Sequence, residues 1–155
     1  MTAPQWRSYG LAALIVLLDQ LSKAWASANL VSGLPQPFLP GVLALQLTHN
    51  TGAAFSLFTG ATQMLGLVSL LVGLGVVIWI RRQAVMTLPR SLAVGFLLGG
   101  AVGNGIDRWR MGAVVDFLAF VPVAFPVFNI ADIAINLAVL CFAIDLLRGH
   151  GHRRV

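Results

Sequence analysis

The sequence predicts an all-α membrane protein: one domain, 1–155, of four transmembrane helices with a small extracytoplasmic β element at about 38–58. Three observations carry this expectation. Hydrophobic residues make up 58% of the 155 and charged residues only 10%, with a mean hydropathy of +0.87, a balance foreign to water-soluble domains. Segments at about 9–28, 62–80, 91–107 and 129–147 each have a length within the roughly 17–25 apolar residues that cross a bilayer. The basic residues cluster where a membrane topology would put them.

Span one, 9–28, follows Arg7 and carries Asp19 and Lys23. Arg7, the apolar run 11–18 and Ala26-Ser27-Ala28 imitate the three regions of a signal peptide. Asp19 and Lys23 interrupt the stretch between apolar core and cleavage site, so a retained span is expected. In hydrocarbon the backbone must satisfy itself, and these lengths suit helices. In loop 29–61, Pro35, Pro37, Pro40, Gly33 and Gly41 break any helix; 42–48 then reads as extended chain. Asn50-Thr51-Gly52 reads as a turn, followed by the small-aromatic run Ala53-Ala54-Phe55. Span two, 62–80, ends at Arg81 and Arg82. Span three, 91–107, has Gly95, Gly99 and Gly103 at four-residue intervals, a face that lets another helix approach closely. Helix packing alone explains these glycines. Loop 108–128 holds a second extended run, 113–120, and a connection marked by Pro122 and Pro126. Span four, 129–147, contains the only cysteine, Cys141, expected to be a packing residue.

The net charge of +5 is a topology signal rather than a nucleic-acid signal, and no nucleic-acid partner is expected. Arg7 precedes span one, Arg81, Arg82 and Arg90 crowd the loop between spans two and three, and Arg148, Arg153 and Arg154 follow span four. Residues 29–60 have no Lys or Arg. The positive-inside rule puts both termini and loop 81–90 in the cytoplasm and loops 29–61 and 108–128 outside, the latter despite Arg108 and Arg110. All four tryptophans, Trp6, Trp25, Trp79 and Trp109, fall at expected span ends.

All five acidic residues are aspartates in or beside apolar segments: Asp19, Asp107, Asp116, Asp132 and Asp145. A carboxylate in hydrocarbon costs roughly 2.5–3.5 kcal/mol, so these have a chemical, ionic or helix-fixing purpose. Asn129 and Asp132 share a helix face at the start of span four. One reading is an N-cap and a first-turn acid favoured by the helix dipole. The other pairs Asp132 with Asp116, on the same side of the membrane, as an aspartic-protease dyad. Such a pair shares one proton; the ionised member deprotonates water and the protonated member polarises the scissile carbonyl. Asn104 and Arg108 also share a face; Arg108 either holds a carboxylate or carbonyl near the dyad or serves as an interfacial anchor or a partner of Asp107. Asp19 and Lys23 make an i,i+4 ion pair, for which a structural role is favoured. Asp145 is expected to pair with Arg148. His49, His150 and His152 fall on opposite sides, so no metal site is expected and no cofactor is implied. No Ser/His/Asp set, P-loop or dinucleotide fingerprint is present.

Five blocks occur in order: Asp19-Gln20-Leu21-Ser22-Lys23, Asn50-Thr51-Gly52-Ala53-Ala54-Phe55, the run from Gly99 to Arg108, Val114-Val115-Asp116-Phe117 and Phe128-Asn129-Ile130-Ala131-Asp132. Together they resemble the bacterial lipoprotein signal peptidases, the signal peptidase II family, over nearly the whole chain. The resemblance implies four transmembrane helices with a small extracytoplasmic β-cradle. It also implies a monomeric inner-membrane aspartic protease, working among membrane lipid, that cuts lipid-modified prolipoproteins just before the diacylglyceryl cysteine. By motif Asp116 and Asp132 take the catalytic positions. Asn50, Gly100, Asn104, Arg108 and Asn129 take the surrounding ones, and Asp19 and Lys23 match the first-span motif. The site would lie at the outer face. For a substrate that enters sideways from the bilayer, the small residues Gly99, Gly100 and Gly103 are expected to leave a groove for its acyl chains. Residues 119–124 depart from the family in being more apolar than its usual aromatic and polar linker.

Two other readings fit less well. A proton-coupled transporter would spread acids through the membrane depth and often repeat a half, whereas these acids gather outward and no repeat appears. A presenilin-type protease wants Gly-x-Gly-Asp; in Gly103-Asn104-Gly105-Ile106-Asp107 the aspartate comes one place late.

Overall fold

The computed structural model describes residues 1–52 and 57–151. The run Ala53-Ala54-Phe55 and the residues His152, Arg153 and Arg154 lie outside the described residues. Among the described residues four helices, α1 (Ala3–Asn29), α2 (Thr62–Arg82), α3 (Leu88–Met111) and α4 (Ile130–Gly151), are joined by three strands, β1 (Gln36–Leu39), β2 (Leu43–Asn50) and β3 (Val114–Phe120).

Helix α3 is the centre and packs against the other three. Its start is set by Thr87, whose hydroxyl accepts from the Arg90 amide, and its end by Gly112 in the left-handed region at φ 69°. Its glycines do not line a groove. A Cβ on Gly99 would come within 2.7 Å of Ile15 on α1, one on Gly103 within 2.6 Å of Asp19, and one on Gly100 within 2.6 Å of the Ala131 carbonyl on α4. The acyl-chain groove expected at these glycines is therefore filled by neighbouring helices; they serve close packing.

Three helical segments, Ala3–Asn29, Thr62–Arg82 and Ile130–Arg148, are long and apolar enough to cross a membrane. Their outward faces carry exposed leucines such as Leu17, Leu71 and Leu140. Helix α3 is as long, at 24 residues, but carries Arg90, Asn104, Asp107, Arg108 and Arg110. A helix surrounded by others meets protein rather than lipid, so it tolerates polar residues that an outer helix would not.

The sheet is antiparallel in the order β1-β2-β3. The extended run expected at 113–120 thus forms β3 and joins the 29–61 loop in one sheet. Leu47 on β2 and Val115 and Phe117 on β3 pack with Ala26 and Leu30 at the end of α1. That apolar contact seats the sheet on one end of the helices. At the other end, Gln5 Nε2 donates to the carbonyls of Ile80 (3.0 Å) and Gln83 (2.9 Å), satisfying carbonyls at the C-terminal end of α2. Asp145 pairs there with Arg90 at 2.6 Å and accepts from the Thr87 hydroxyl, tying α4 to the start of α3. The expected Asp145–Arg148 pair is thereby corrected: the partner comes from another helix.

Candidate active site

The antiparallel register sets Asp116 directly opposite Thr48, so both side chains, with that of Asn50 two residues on, share one sheet face. Asn50 Nδ2 donates to Asp116 Oδ2 at 3.1 Å, and Asn129 Nδ2 donates to Asp116 Oδ1 at 2.6 Å. Asn129 immediately precedes α4 and caps it reciprocally. Its Oδ1 accepts from the Asp132 amide (2.9 Å), while Asp132 Oδ2 accepts from the Asn129 amide (3.2 Å). The two sequence readings of this pair are therefore compatible: one amide group caps the helix and reaches Asp116 as well.

Asp132 Oδ1 takes a hydrogen bond from Asn104 Nδ2 at 2.8 Å. The Asn104 amide is oriented from behind, since its Oδ1 accepts from Lys23 Nζ (3.0 Å) and Asn129 Nδ2 (3.1 Å). Lys23 is buried between Asp19 and Asp107, 2.8 Å from a carboxylate oxygen of each. Asp19 also accepts from the Ala131 amide at 2.9 Å, fixing the N-terminus of α4 one residue before Asp132. Two carboxylates around one ammonium, all desolvated, form a buried framework behind the pair of aspartates.

Asp116 and Asp132 open on one cavity of about 570 Å³. Asn50, Asn104 and Arg108 line its polar end, and Phe125, Ile133, Leu137 and Leu140 form an apolar wall. Arg108 donates to the Gly52 carbonyl at 3.3 Å; its Nε is buried with no hydrogen-bond partner, and no ion pair joins it to a carboxylate among the described residues. Asp107 is spoken for by Lys23, which removes the Asp107–Arg108 pairing considered from sequence. Burial pushes the Asp116 carboxyl from its ordinary 3.8 up to about 7, and repulsion from Asp132 adds to this. The hydrogen bonds from Asn50 and Asn129 pull the other way.

The family described as signal peptidase (SPase) II matches residues 11–148, most of the chain. The chain belongs to the signal peptidase II family. The lipoprotein signal peptidase of Parasynechococcus marenigrum (strain WH8102) is 58% identical over 137 residues, 88% of this chain and 86% of that protein. The one from Gloeobacter violaceus (strain ATCC 29082 / PCC 7421) is 47% identical over 137 residues, 88% of this chain and 79% of that protein. A bacterial membrane enzyme solved by the in meso method at 2.3 Å superimposes with a TM-score of 0.88 at 28% identity, over 95% of this chain and 91% of the other. As a signal peptidase II this is a membrane-embedded protease.

Of the positions singled out in the sequence, Asp116, Asp132, Asn50, Asn104 and Arg108 meet at the cavity. Asn129, Asp19 and Lys23 stand behind it, and Gly100 is apart, in the α3–α4 contact. Two members of the framework had no such role assigned from sequence: Asp107 and Gln20, whose Nε2 donates to Asp107 Oδ1 at 2.9 Å. The signal was available, because both lie in motif blocks at positions that would otherwise leave a polar group in hydrocarbon.

Proposed function

We propose that this chain is a membrane aspartic endopeptidase that removes signal peptides from prolipoproteins by cutting before the diacylglyceryl-modified cysteine. The observation that supports it most is that Asp116 and Asp132, from a strand and a helix, share one cavity with amide donors on each. With one proton between them, the ionised member takes a proton from water, whose oxygen attacks the scissile carbonyl. The protonated member donates to the carbonyl oxygen, and collapse of the tetrahedral intermediate sends a proton to the cysteine amine as it leaves. Arg108 faces the same space with donors to spare for a substrate carbonyl. The apolar wall of Phe125, Ile133, Leu137 and Leu140 takes the acyl-chain role that the packed glycines cannot. Each buried methylene there contributes about 0.8 kcal/mol. Incubating the purified protein with a lipid-modified prolipoprotein should give the shortened product, and the same polypeptide without lipid should be cut far more slowly. Equal rates would reject lipid recognition, and no product would reject the activity.

The same reading makes 1–155 one monomeric inner-membrane domain in which α3 is a fourth span. Both termini lie in the cytoplasm, and the sheet and aspartates sit at the outer face. Cysteine labelling should find residues 45 and 120 outside and residue 86 inside; a cytoplasmic residue 120 would put Asp116 on the wrong side of the membrane.

The pH dependence has a definite sign. Because the Asp116 carboxyl is raised to about 7, the shared proton is held below that value and lost as pH rises through it, so kcat/KM should fall there. Asn50 donates to the ionised form and lowers the value. Asn50→Leu should therefore move the alkaline limb to higher pH, and a shift to lower pH would contradict this account of the dyad.

A further inference from the structure

Resting on the peptidase reading, we infer that a second, polar cleft beyond Asp116 binds the mature polypeptide that follows the modified cysteine, as an extended segment of small polar residues. The cleft encloses about 420 Å³ and is lined by Thr48, His49, Thr51 and Thr59. It shares Asn50, Asp116, Pro126 and Val127 with the larger cavity, so the Asp116 carboxylate stands where the two spaces meet. This juxtaposition follows from the sheet: Thr48 is the cross-strand partner of Asp116, and the chain turns away after Asn50 to bring Thr51 to the rim.

Four chains lead away from the reacting cysteine: the signal sequence, two acyl chains and the mature polypeptide. The signal sequence and the acyl chains are apolar and match the wall formed by Phe125, Ile133, Leu137 and Leu140. The mature polypeptide is the one polar chain. Hydroxyls offer donors and acceptors to its backbone, whereas an acyl chain there would strip them of hydrogen bonds without replacement. The cleft is thus the polar half of a site whose two halves meet at the reacting carboxylate.

The test uses two substrates with the same signal peptide and the same lipidated cysteine, one continuing beyond it and the other ending there as the amide. The wild-type protein should show a KM about tenfold higher for the truncated substrate. Thr51→Trp, which fills the rim, should lower kcat/KM for the continuing substrate by about tenfold and leave the truncated one unchanged. A measurement that needs no variant replaces a Ser-Asn pair after the cysteine by Trp-Trp, which the wild-type protein should cut about tenfold more slowly. Equal handling of all substrates by the wild type, or an equal loss on both substrates in Thr51→Trp, would overturn the cleft assignment while leaving the peptidase reading in place. If the wild type cuts neither lipidated substrate, the peptidase reading itself fails and the cleft with it.

Discussion

Asp116→Asn and Asp132→Asn should each lower cleavage by at least about 10³-fold while leaving the protein folded and inserted. The amide is nearly isosteric with the carboxyl, so the contacts with Asn50, Asn104 and Asn129 can be kept in part, but it neither takes a proton from water nor holds the shared one. Because the two groups act as a unit, the double variant should be little worse than either single one. That non-additivity separates a dyad from two residues that each support folding. Measured as initial rate per folded molecule on a lipidated substrate, full activity in either variant would reject the assignment. A double variant whose loss is the product of the single losses would mean that the two carboxylates act independently.

How much of this was legible in the sequence differs from residue to residue. Asp116 and Asp132 stood out because a carboxylate in an apolar segment demands a reason, and their pairing followed from topology. The Asp19–Lys23 pair was legible from its four-residue spacing. What it pairs with beyond α1 was not, because Asp107 and Asn104 come from a helix more than eighty residues on in the case of Lys23 and Asn104. The same non-locality hid the pairing of β3: an extended run declares itself, but its registration against β2 depends on the packing of Val115 and Phe117 on the end of α1. Small residues carried the least information. Gly95, Gly99 and Gly103 announce a close approach without saying what approaches, and α1 does so in this fold. The low apolarity of α3 was a usable signal of its central place.

The other large effect lies behind the site. Lys23→Met should destabilise the protein by about 3–5 kcal/mol, because it strands Asp19 and Asp107 without their cation at 0% and 1% exposure. Against a typical total of about 5–15 kcal/mol, that is enough to deplete the folded protein. The loss should exceed that of any exposed ion pair, which contributes about 1 kcal/mol or less. Adding Asp107→Asn to Lys23→Met removes one stranded charge and should recover part of the thermal stability. It should not recover the full rate, since Asn104 Oδ1 keeps the Asn129 amide but still lacks the ammonium, one of the two donors that turn its Nδ2 toward Asp132. Thermal unfolding in detergent and cleavage per folded molecule read the two effects separately. A wild-type Tm in Lys23→Met would show that the buried framework does not hold the helices. Recovery of both Tm and rate in the double variant would show that Lys23 acts on charge alone, with no part in orienting Asn104.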